Sequence, residues 1–167
     1  MKKLSAKGLK ALKIVHLVCA TLWFGSAIVM NLLRILVNTP DNPSLYYMAE
    51  VLEAVDMKIL VPGAIGCLLT GIIYGCFTNW GFFRYRWLTV KWILTVFMIS
   101  LGTFYLGPLV RDNVVIGKAL MDGSCTDASL YWQNVNASSH CGLLQIILLV
   151  VVFVVSVFKP WKKKAKR

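Results

Sequence analysis

The residues of this sequence best placed to do chemistry are His16, Lys91 and Thr70. His16 sits in KIVHLVCATLWFG, residues 13–25, an otherwise largely apolar and aromatic stretch. Lys91 stands in RWLTVKWIL and Thr70 in LLTGIIYG. A neutral imidazole can supply an axial nitrogen to a metal held in a tetrapyrrole, and a lysine can pair with a ligand carboxylate. Trp23 follows His16 by almost two helical turns, so both point to nearly one helix face, and Trp23 could stack on a planar ligand. Against these stand blander roles: Lys91 reaching to the lipid headgroups, His16 bonding a neighbouring helix, Trp23 simply packing. The second histidine, His140, falls at the opposite end of the molecule and cannot share one iron with His16. No CxxC, tight metal cluster, phosphate loop or nucleophile triad is visible.

The elements that must position these residues are unusually apolar. Of 167 residues, 58% are hydrophobic and only 15% charged, with mean hydropathy +0.70. Soluble domains are nearer a quarter charged. The apolar residues come in four long blocks, about 11–37, 59–77, 88–110 and 141–158, each long enough to cross a bilayer as a helix. Lipid offers backbone groups no partners, so spans are helices or closed barrels. Continuous apolar runs exclude the barrel. The expected fold is all-α: a single-domain, integral membrane bundle of four transmembrane helices, with outer loops 38–57 and 111–140 and a cytoplasmic loop 78–87.

Charge sets the expected orientation. The net charge is +11, yet the basic residues cluster at the chain ends and beside Arg84 and Arg86, where membrane topology accounts for them and nucleic acid is not needed. All seven acidic residues fall in the two other loops. The positive-inside rule then places both termini in the cytoplasm, as a multi-pass protein of a bacterial plasma (inner) membrane. The first helix is expected to be retained, because its apolar run is too long for a removable signal and lacks an A-x-A site. The lysine-rich tail is expected to touch anionic lipid. Homo-oligomerisation stays open.

Within the first outer loop, Leu45, Met48, Leu52 and Val55 recur at helical spacing with Glu50, Glu53 and Asp56 between them, which predicts a short amphipathic helix lying at the outer interface. The second outer loop contains Cys125 and ends against Cys141, and an oxidising compartment would permit a disulfide between them across the loop. Cys19, Cys67 and Cys76 read as packing residues. Arg34 reads as an interfacial anchor. Gly25, Gly63, Gly66, Gly71 and Gly75 favour close helix contacts.

HLVCATLWFG resembles the opening of small four-helix membrane families: an uncharacterised "predicted integral membrane protein" family, the HemJ-type protoporphyrinogen oxidases and the CopD-like copper-resistance proteins. VPGAIGCLLTGIIYG followed by RWLTVKWIL is similar to a HemJ pattern of a proline-led helix and then W-L-x-x-K. The resemblance covers the first three helices. It implies haem b as cofactor and carries the HemJ histidine and lysine onto His16 and Lys91. That family also has a histidine late in the third helix, where this chain reads ISLGTFYLGPLV and has none. The leading expectation is a redox-accessory protein holding haem or a similar planar anion in the cytoplasmic half of the bundle, with His16, Lys91, Trp23 and Thr70 around it. The alternatives are a HemJ-like oxidase, a small metal or solute transport component, and a structural membrane protein. Whether the protein is an enzyme stays open.

Overall fold

The computed structural model describes residues 4–37, 39, 41–78 and 81–161, and these residues form helices and no strands. Helix α1 runs Ala6–Leu36, α2 Asn42–Val55, α3 Val61–Phe77, α4 Arg86–Leu101, α5 Gly107–Met121 and α6 Ser129–Phe158. Helices α2 and α3 are continuous through a π-helical turn, Asp56–Leu60, and α4 and α5 through another, Gly102–Leu106. The result is four antiparallel rods, each long and apolar enough to span a membrane. Lys162–Lys164, Lys166 and Arg167, which make up most of the expected lipid-touching tail, lie outside the described residues.

The ends of the rods follow from local chemistry. The Ser5 hydroxyl accepts from Gly8 N–H at 3.2 Å and starts α1. Asp41 caps α2 by accepting from Ser44 N–H at 2.9 Å, ahead of Pro43 in the first turn. Asp127 accepts from Ser129 N–H at 2.9 Å where α6 begins. Hydrogen bonds from Ser44 and from Ser129 favour the ionised form and hold both carboxyls below the ordinary aspartate range. At its other end α6 stops at Lys159, in the left-handed conformation with φ 47°, followed by Pro160.

The π turns have an identifiable cause. Proline lacks an N–H and its ring collides with the carbonyl four residues earlier. Pro62 and Pro108 each sit just past a π turn, where the helix widens and the preceding N–H reaches five residues back: Val61 to Asp56 O and Gly107 to Gly102 O. Counted along the helix, both turns lie about 24 Å from the end where α1 begins and α6 stops. We call that end basal and the opposite end distal.

Sequence patterning and structure part company in the distal region. The two proline-marked rods are 36 residues each, or ~54 Å against ~30 Å of hydrocarbon. The expected outer loops are therefore largely helical. Residues 42–55 do not form a separate interfacial helix but extend α3 in line, and residues 107–121 and 129–140 are helix as well. The missing signal is physical: beyond the lipid a helix needs only one apolar face. Leu45, Ala49, Leu120 and Tyr131 form that face's shared core. Helices α2 and α5 meet so closely that a methyl group on Gly117 would lie 3.0 Å from Tyr46 Cα. Polar clamps join the same region: Tyr131 Oη donates to Leu45 O at 2.9 Å, Asn42 Nδ2 to Leu120 O at 3.1 Å, and Asn113 Nδ2 to Tyr131 O at 3.3 Å.

The helical distal region also separates the two outer cysteines. Both are free thiols, and Cys125 Sγ donates to Asp127 O at 3.4 Å. Cys141 lies twelve residues beyond the start of α6, ~18 Å along the axis. A disulfide needs Cα atoms within about 7 Å. In this structure the expected Cys125–Cys141 bridge is not made.

Candidate functional site

A cavity of about 780 Å³ fills the basal half of the bundle. Its roof is a packed layer of Trp23, Ala64, Cys67, Met98, Leu149 and Val152, drawn from all four rods. The α1–α3 wall is tight, because glycine lets two backbones meet: a methyl on Gly63 would lie 2.7 Å from Trp23 N. Four residues separate Trp87 from Lys91 and Lys91 from Thr95, so α4 turns all three toward the cavity.

His16 is held in one orientation. Its Nδ1 lies 2.7 Å from Thr70 Oγ1, and Tyr74 meets the ring edge-on with centroids 5.9 Å apart. Thr70 is buried, and its single hydroxyl proton goes to Gly66 O at 2.6 Å, with Cys67 O 3.1 Å away. With that proton committed, Oγ1 accepts from His16 Nδ1–H, and the neutral ring carries its lone pair on Nε2. An imidazole fixed in this way by its other nitrogen is the usual arrangement of a metal-ligating or proton-accepting histidine.

The electrostatics of the cavity have one sign. Lys10, Lys13, Lys91 and Lys159 line it, and none of the chain's seven acidic residues does. Lys91 is only partly exposed and acts electrostatically on His16. Most of the rest of the wall is aromatic or aliphatic, with Tyr74, Trp87, Trp92 and Phe153 prominent and the hydroxyl residues Thr78, Thr95 and Ser156 among them. Among the described residues no three His, Cys, Asp or Glu side chains converge as a metal site. A metal ion here would have to arrive with most of its ligands already attached.

The structure thus brings His16, Lys91 and Trp23 to one cavity and places Thr70 directly behind His16. Trp23 is only 3% exposed and serves as roof rather than as an open stacking surface. His140 is exposed on α6, with its Nδ1 donating to Asn136 O at 2.8 Å, far from the cavity. Arg34 is only partly exposed and stands in the field of Asp56 and Tyr131, so it has protein neighbours besides the interface. Tyr74, Trp87 and Trp92 were not singled out by sequence reasoning. The available signal was the helical spacing of Trp87 and Lys91, and of Thr70 and Tyr74, which puts each aromatic one turn from a polar residue.

Residues 10–160 match the profile of a family described as "Predicted integral membrane protein (DUF2269)". No curated protein matches the chain, HemJ-type and CopD-like proteins included. No solved structure matches it either.

Proposed function

Because the chain belongs to that predicted integral membrane protein family, its place is the lipid bilayer, and we propose that it is a binding protein for an amphipathic anion with a flat, conjugated body. A tetrapyrrole such as haem b is the ligand class that best suits the residues present. The observation that carries this reading is the basal cavity itself: large, walled by aromatic rings, lysine-lined without a carboxylate, and equipped with one histidine whose Nε2 is left as the free acceptor. Apolar rings take up the macrocycle's faces, and lysines pair with its carboxylates. A metalloporphyrin brings four nitrogens to its own metal, so a single imidazole is enough to complete an axial site. Were haem bound, His16 would be the one histidine able to hold it, since His140 stands at the other end of the bundle, which argues against transferring the HemJ reaction.

The test is optical. The purified protein in detergent should show a Soret band, either as isolated or after titration with haem. His16→Ala should remove the imidazole-ligated spectrum and weaken binding by more than the ~10–100-fold typical of losing only an outer partner. A colourless, folded protein that takes up no added haem would falsify the tetrapyrrole reading.

We further propose that the basal end faces the cytoplasm of a bacterial cell, as supported by the sequence, where fourteen of the eighteen lysines and arginines fall toward that end, Arg34, Lys58, Arg111 and Lys118 being the exceptions, and all seven acids toward the other. A reporter fused after Arg167 should be active only in a cytoplasmic form. An inserted reporter near Asp127 should be active only outside; the reverse pattern overturns the orientation.

A further inference from the structure

The wall of the cavity between α3 and α4 is built differently from the others. Distally, the same two rods, as α2 and α5, touch backbone to backbone at Gly117. Below the π turns they diverge, and α3 and α4 are not among the closely packed helix pairs, whereas α1 packs on α3 and on α6, and α6 on α4. Side chains alone fill the gap. Trp92 from α4 lies over Gly71, where an added methyl would sit 3.6 Å from the indole. Phe82, from the segment joining the two helices, lies over Gly75, where an added methyl would sit 2.5 Å from the ring. The two rings touch each other with centroids 5.4 Å apart. Gly71, Gly75 and Trp92 also line the cavity, and Phe82, which does not line it, stands against Trp92 and backs it. Neither ring is fully buried. The outside surface at this depth is lipid-facing, carrying exposed Ile72, Ile73 and Ile93.

From this arrangement we infer that the basal cavity is loaded sideways from the lipid leaflet, through the α3–α4 seam, with Trp92 and Phe82 as a hinged plug seated on Gly71 and Gly75. The ligand is then a membrane-dissolved amphiphile: its apolar body slides between two helices and its anionic group meets the lysines of the basal half. Side-chain rotation is the main motion required, since α3 and α4 are not closely packed at the seam. Rotamer changes of partly exposed rings are fast compared with helix separation. This inference rests on the proposed amphipathic-anion site for its ligand, but the plug can be tested without any ligand.

The first measurement is the rate at which protein in lipid nanodiscs takes up protoporphyrin IX, a fluorescent probe, from donor vesicles. Trp92→Ala should speed both uptake and release about tenfold. In a background lacking the native cysteines, Gly71→Cys with Trp92→Cys, joined by a short reducible cross-linker, should slow uptake at least tenfold, and reduction should restore it. Protein loaded before cross-linking should retain the probe. Rates indifferent to both changes would overturn the side route while leaving the cavity's ligand class standing. If no form binds the probe, the ligand reading fails and a second measurement decides the route. A fluorophore on Thr95→Cys, inside the cavity, should be quenched by lipids carrying a nitroxide on the acyl chain, and more strongly when Trp92→Ala is added. Absence of quenching in both proteins would sink the seam.

Discussion

The two proline-marked rods behave as opposites above and below their π turns. In the distal half α2 and α5 interlock through Gly117, share a core around Leu45, Leu120 and Tyr131, and are stitched by hydrogen bonds to backbone carbonyls. In the basal half their continuations stand apart around a lysine-lined space closed by two rings. The difference teaches where cohesion resides. Small residues and clamps at one end hold the rods in register, which leaves the other end free to keep a large cavity at little cost in global stability. Cohesion and recognition are thus separated along the length of the same helices.

That division can be broken most severely at Gly117. Gly117→Leu forces a branched side chain against the Tyr46 backbone, 3.0 Å away at its first carbon, and should cost ~3 kcal/mol, the upper part of the overpacking range. Thermal unfolding in detergent should show it, while the protein that remains folded should bind haem with parental affinity. A loss of affinity as large as the loss of stability would mean that the two halves are one unit. Thr70→Val makes the converse demand. It removes the partner of His16 Nδ1, so haem affinity should fall about tenfold with only a small change in unfolding midpoint. Equal binding by the variant would show that the histidine needs no fixing. The smallest effect is expected at Tyr131→Phe, which deletes the hydroxyl donating to Leu45 O. Stability should drop by ~1 kcal/mol, and ligand uptake should not change; a change in uptake would link the clamp to the cavity.

Much of this arrangement was readable in the residues. The four spans announce themselves because lipid demands continuous apolar runs. The meeting of His16, Thr70 and Lys91 followed from counting helical rise inward from the charged ends, where all three fall in one layer. The distal helices were only half legible. Leu45, Leu52 and Val55 revealed a helix, but Asp56 and Lys58 interrupt the apolar run, and nothing local says that the helix continues through them into Pro62. The same blind spot made residues 111–140 look like a loop that could bring Cys125, within it, to Cys141 at its end. The cavity's aromatic seam was illegible for another reason: Trp92 and Phe82 are ordinary membrane residues until the divergence of α3 and α4 is known.

The π turn at Asp56–Leu60 acts as a phase shifter. One extra residue in a helical turn offsets everything beyond it by about 100°. By a plain α-helical count, Leu52 and Thr70, eighteen residues apart, would face the same direction. In the molecule both residues meet α1, Leu52 beside Met30 and Val110 and Thr70 at His16, with the widened turn lying between them. Removing a single residue such as Met57 would erase that offset. Every basal side chain of α3 would then swing by more than a quarter of a turn, carrying the Thr70 hydroxyl away from the imidazole while its sequence neighbours stayed the same. Spacing within this segment is therefore information in its own right, independent of which amino acids occupy it.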